Sequence, residues 1–119
     1  MKEHFKLRHF EYPENMDTEC IAMCDIFNSC GLTTEHSCCG HDRGAFYIIF
    51  SNKVTTAQVD EFLMLFANKY GLTPFLGKFL MWARKINKNE IAHTWMYEAP
   101  SIQFAASDAH VIVKELNLR

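Results

Sequence analysis

Apolar residues fall into a helical rhythm in two places along this chain and into strand-like runs in several others. Cys20, Met23, Cys24, Phe27 and Cys30 recur at spacings of three and four, the period of one helix face. Asp17 stands where an N-cap belongs, Glu19 lies near the positive end of the helix dipole, and Gly31 follows as a stop. The spacing predicts a helix over 18–30. Val59, Phe62, Leu63, Phe66, Ala67 and Tyr70 repeat the pattern for three turns. Thr55 and Gln58 open that second helix as a capping box, and Gly71 closes it.

Between these helices, residues 32–38 with Thr33 and Thr34 suit a short strand. The near-continuous apolar run at 45–51 predicts a strand buried on both faces. Residues 78–86 and 91–98 read as two more strands, joined as a hairpin through Asn87, Lys88, Asn89 and Glu90. Residues 5–12 alternate loosely and predict a further strand, ended by Pro13. After Pro100, Ser101 to Ala106 predicts another. Asp108 is placed to cap a last short helix through Leu116, whereas Val111, Ile112 and Val113 favour a strand, and both readings stay open.

Helix, Gly31-Leu32-Thr33-Thr34, strand, loop, strand is followed by helix, Gly71-Leu72-Thr73-Pro74, strand, turn, strand. One reading is two tandem αββ units about forty residues apart. The other is two helices that end with the same cap chemistry. Either way the fold class is α+β, an antiparallel or mixed sheet with helices on one face.

Length and charge narrow the functional classes. The 119 residues predict a single domain over 1–119 with a core of its own. Twelve Lys and Arg against fourteen Asp and Glu advertise no dominant nucleic-acid or membrane-surface role. The charge is unevenly spread: residues 1–35 are mostly acidic, while Lys69, Lys78, Arg84, Lys85 and Lys88 fall in a stretch without an acid. No apolar run approaches the ~20 residues that span a bilayer, and no apolar signal core follows Met1-Lys2-Glu3-His4-Phe5-Lys6. A cytoplasmic protein is expected. Its five cysteines then stand as free thiols or metal ligands, not as a disulfide framework.

Reactive side chains crowd one stretch, His36-Ser37-Cys38-Cys39-Gly40-His41-Asp42-Arg43-Gly44, just before the 45–51 run. Cys38 and His41 have the spacing of half a zinc knuckle, with Cys20 and Cys24 as a second pair and Cys30, His36, His93 and His110 in reserve. A thiol beside an imidazole also has the residue types of a nucleophile and its base, with Cys38 and His41 the catalytic candidates. For a small anionic ligand, Ser37, Gly40, His41 and Arg43 are the expected contacts, the glycines freeing backbone N–H groups. Phe79, Trp82 and Trp95 interleave with the bases of 78–88, which leaves nucleic acid as a weaker option than core packing of the aromatics.

Cys20 through Phe50 resembles small uncharacterised bacterial and phage proteins that carry a helix, a Gly-x-x-Thr strand start and a Cys-Cys-Gly-His loop before an apolar strand. The matching residues are Gly31, Thr33 or Thr34, Cys38, Cys39, Gly40, His41 and Ile48 or Ile49. Asp42-Arg43-Gly44 replaces the usual Gly-Lys after the histidine. Thr33 to His41 is also similar, more faintly, to the Thr-Thr-x-Ser-Cys-Ser-Gly-Arg strand-loop of the wybutosine-synthesis tRNA methyltransferase family. The first resemblance implies phage ancestry and the host cytoplasm; the second would imply a nucleotide-like ligand. Together these readings predict an accessory or inhibitory protein whose Cys38–Arg43 loop binds a small anionic ligand, a metal ion such as zinc, or a host protein. Binding stands ahead of catalysis, because no catalytic constellation is complete.

Overall fold

A computed structural model of the chain describes residues 5–14, 16–38 and 44–118. Its elements are α1 (Thr18–Ser29), β1 (Thr34–Cys38), β2 (Phe46–Phe50), α2 (Thr56–Met64), β3 (Lys78–Asn87), β4 (Glu90–Ala99) and α3 (Ile102–Glu115). The strands form one wholly antiparallel sheet in the order β1-β2-β4-β3. The fold is α+β, as expected. The central pair, β2 and β4, is the last strand of each αββ run, so α1β1β2 and α2β3β4 meet back to back. That is the arrangement two tandem αββ units would make.

All three helices lie on one face. Phe27 of α1 is fully buried and meets the rings of Phe50, Tyr97 and Phe79 at 5.1, 5.4 and 5.9 Å between centroids. Phe62 of α2 meets Phe79 at 5.9 Å. Asp108 of α3 accepts a 2.6 Å hydrogen bond from the Tyr97 hydroxyl. Strand alternation puts Ile48, Tyr97 and Phe79 on this same face, since they are partners across the register. Edge-to-face ring pairs each add about 0.5–1.5 kcal/mol to the area they bury, so Phe27 is the junction of the core.

The helix ends follow local chemistry. Gly31 adopts φ +86°, and Leu32 N and Gly31 N donate to Phe27 O and Asn28 O, a Schellman close for α1. The Thr55–Gln58 capping box is present on α2. That helix stops at Met64, however, and does not continue to Tyr70. Asn68 diverts the chain: its carboxamide oxygen accepts from Tyr70 N and Leu72 N, and its own N–H donates to Leu72 O. Gly71, at φ +80°, completes this turn and not a helix cap.

Three further expectations are corrected. Residues 5–12 form no strand; they run as an extended strap along α1. Ser101 to Ala106 belongs to α3, not to a strand. Asp108 lies within α3 and not at its cap, and Val111, Ile112 and Val113 are helical. Burial decides the matter: Ala105, Asp108 and Ile112 face the core at helical spacing, which overrides the β preference of a branched run.

Asp108 is fully buried and its carboxylate is satisfied, accepting from Leu76 N and Gly77 N at 2.8 Å each besides Tyr97. Burial pushes the Tyr97 phenol well above its ordinary range, and the Asp108 carboxylate adds to the rise. The chain entering β3 is thereby drawn against the Tyr97 ring, where a Cβ on Gly77 would stand 2.6 Å from Cε1 and 2.7 Å from Cζ. Gly77→Ala is expected to cost about 1–3 kcal/mol through this overpacking. Urea melts check it: the midpoint falls while the slope stays unchanged, and a variant as stable as the parent would show that Tyr97 yields.

Candidate functional site

Among the described residues β1 is an edge strand, paired with β2 on one side only. Across from its open side the strap is hung on α1 by side chains that point out of the helix. Asp25 is 5% exposed and accepts from Phe10 N (3.0 Å) and the Tyr12 hydroxyl (2.9 Å), and pairs with His9 Nδ1 (3.0 Å). Ser29 Oγ accepts from Arg8 N and donates to Arg8 O. Asn28 links strap to strand: its Nδ2 donates to Tyr12 Oη and Thr34 Oγ1, and its Oδ1 accepts from Thr34 N. Burial raises the Tyr12 phenol well above its usual range.

Between strap and strand lies a cleft of about 830 Å³, walled by Tyr12 and Pro13 on one side and by Thr33 and β1 on the other. Its floor includes Cys20 and Cys24, with Cys38 at the strand end. Glu11 and Asp17 line it with one arginine, Arg8, and Glu35, also in the lining, is paired with Arg84, so its fixed charge is mildly acidic. A register shift between Thr34 and His36 bulges β1 at Glu35. The bulge lets Glu35 accept from Arg84 Nη2 at 2.7 Å, an ion pair reaching across from the opposite edge strand.

Of the expected site residues, Ser37 and Cys38 line this cleft. Gly40, His41 and Arg43, with Cys39 and Asp42, lie outside the described residues. Cys20 and Cys24 line the same cleft as Cys38, while Cys30 lines a different groove beside α2. His93 is on β4 and His110 on α3. Among the described residues no three His, Cys, Asp or Glu side chains are grouped so as to hold a metal ion. His36 is exposed and stands 3.7 Å from Glu35.

The thiols differ in setting. Burial pushes Cys24 up, opposed by its hydrogen bonds with Thr34 and Ser37. Burial alone pushes Cys30 up to about 12. Cys38 is half-buried and bonds the Tyr47 hydroxyl; burial raises that phenol first, and the Cys38 thiol adds to it. Of the aromatics interleaved with bases, Phe79 packs in the core and Trp95 donates its indole N–H to Thr56 Oγ1. Trp82, by contrast, stays 41% exposed.

The strap was missed in the sequence, and with it Tyr12, Asp25 and Asn28. The available signal was a carboxylate, an amide and a hydroxyl at 25, 28 and 29, three and four apart on a helix that is otherwise apolar there. A variant lacking that carboxylate, Asp25→Ala, strands the Phe10 N–H and the Tyr12 hydroxyl. It is expected to cost about 2–4 kcal/mol, by analogy with other broken buried hydrogen-bond networks. Limited proteolysis checks this through faster cleavage within 5–14. In a Cys39→Ser background at mildly alkaline pH, a thiol reagent is expected to modify Cys38 well before Cys24 or Cys30. Peptide mapping checks the order, and equal rates in urea confirm that burial sets it.

A family model described as YoqC prophage protein matches residues 3–119. No curated protein matches the chain, and no solved structure does. The expectation of a small phage-type protein is thus supported, while the methyltransferase likeness gains no support. Among the described residues no helix is long and apolar enough to cross a membrane.

Proposed function

The chain belongs to the YoqC prophage protein family, and we propose that it is an accessory protein that holds an extended segment of a host protein along β1. The observation that carries this reading is the cleft of about 830 Å³ beside a strand edge that no described strand pairs with. A segment lying there adds a fifth strand, its main chain hydrogen-bonding the free edge while alternate side chains enter the cleft. One edge group, Thr34 N, is already taken by Asn28 Oδ1, which leaves the Glu35–Cys38 end for the incoming chain. The Glu35–Cys38 end of β1 offers roughly 14 Å of edge at ~3.4 Å per residue.

Charge chooses among the ligands the loop chemistry allowed. An acidic lining disfavours a small anion in the described part of the cleft and favours a segment that carries lysine or arginine. Cys20, Cys24 and Met16 give it an apolar floor for small side chains. Zinc at Cys38 and His41, and thiol catalysis at Cys38, have no comparable support.

Panning displayed peptides against the full chain tests the proposal. Enriched peptides are expected to be extended and basic, to shift amide resonances of 8–17 and 33–38, and to lose binding when alternate backbone amides are N-methylated. Reversing Glu11 and Asp17 to lysine is expected to weaken them about tenfold. Absence of any binder, or shifts confined to another surface, would overturn it.

A further inference from the structure

The β3–β4 hairpin outgrows its sheet. β2 pairs with β4 only from Phe46↔Ala99 to Ile49↔Met96, whereas β3 and β4 stay paired as far as Asn87↔Glu90. Residues 90–95 and their partners therefore continue as a two-stranded arm, about 20 Å long at ~3.4 Å per residue. Its base is held by buried Thr94 and by Trp95 on Thr56, and its outer part, 90–93, extends beyond that hold. Two-stranded ribbons are marginal in water unless a surface covers them. This one leaves Met81, Trp82, Ile86 and Ile91 between 39% and 56% exposed. Met81, Lys85 and Ile91 share the helix-bearing face by alternation from the Phe79↔Tyr97 pair, and all three are exposed. Lys85 and Lys88 make no ion pair among the described residues.

A surface of opposite charge lies on the same molecule. A groove of about 580 Å³ runs between α2 and the Cys30–Leu32 turn, with Leu32, Phe62 and Leu65 in its lining. Met64 also lines it, 72% exposed. Asp60 and Glu61 complete the lining, and neither makes an ion pair among the described residues. An apolar arm with unspent cations and an apolar groove with unspent carboxylates are complementary surfaces.

We infer that two copies of this chain exchange arms, the Met81–Ile91 face of each entering the other's α2 groove with Lys85 and Lys88 against Asp60 and Glu61. Reciprocal exchange closes on a two-fold axis, so it ends at a dimer. Edge-to-edge pairing of β3 is the weaker geometry. Its edge carries Lys78, Arg84 and Lys85 and an irregularity between Lys85 and Asn87, features that turn away an added strand. The β1 cleft shares only Gly31 with this groove, so the two proposals fail separately.

Sedimentation of the full chain over the micromolar to millimolar range tests it. The expected species has twice the 13.8 kDa chain mass and dissociates on dilution and with added salt. Ile91→Asp and Lys85→Glu alter exposed side chains and are each expected to raise the dimer dissociation constant about tenfold or more with the circular dichroism unchanged. Glu61→Lys alone is expected to do the same. An equimolar mixture of Lys85→Glu and Glu61→Lys chains is expected to dimerise again, since each arm then meets a groove of opposite charge. A chain that stays monomeric to millimolar concentration, open polymers, a dimer indifferent to these variants, or a mixture that fails to re-form would each overturn the inference.

Discussion

The candidate site exists because a carboxylate has been taken out of water. Asp25 sits on α1 at 5% exposure, where an unmet charge would cost several kcal/mol. A helix cannot supply the missing donors from its own backbone in mid-length, since those N–H groups are committed to carbonyls four residues back. The donors come from the strap, through Phe10 N, Tyr12 Oη and His9 Nδ1. Satisfying Asp25 therefore brings an otherwise unstructured segment to one fixed distance from β1. The cleft is the space that this distance leaves.

Asp108 does the corresponding work in the other half. It too is a buried carboxylate on a helix, and it too gathers backbone N–H groups from a segment without regular structure, at Leu76 and Gly77. The consequences differ because the captured segments differ. At Asp25 the strap runs on beside an open strand edge and leaves room. At Asp108 the captured loop leads directly into β3 and closes on the Tyr97 ring, with no room for a Cβ at Gly77. Similar electrostatics thus make a cleft in one half and a packed seam in the other.

Much of the fold was legible because its signals are local. The Thr55–Gln58 box, the glycine after α1 and the polar turn at 87–90 each act within four residues, and each lies where expected. The errors arise where contacts distant in sequence, or an unrecognised turn, decide. Val111–Val113 reads as strand until the core claims Ile112; residues 5–12 read as strand until Asp25 and Ser29 claim their backbone. Asn68 was a local signal passed over, overshadowed by the apolar rhythm that continues past it to Tyr70. For the candidate site, the thiol-bearing stretch leads to the strand end where Ser37 and Cys38 line the cleft. It could not reveal the opposite wall, which depends on partners thirteen to sixteen residues upstream of Asp25.

The uneven charge noted along the chain acquires a spatial meaning in the fold. Acids from the first third line the β1 cleft, while the acid-free stretch supplies β3 and with it one strand of the arm. Only one ion pair, Glu35 to Arg84, joins the two regions among the described residues. Separating charge in this way forgoes pairing within the chain, which is worth little at an exposed surface in any case, at about 0–1 kcal/mol per pair. What the separation preserves is two surfaces of opposite sign, each adjoining apolar side chains. Such surfaces steer and select partners more than they stabilise the fold that carries them. The stability of this small chain rests elsewhere, on Phe27 and the two buried carboxylates, which leaves the charge at its rims free of that task.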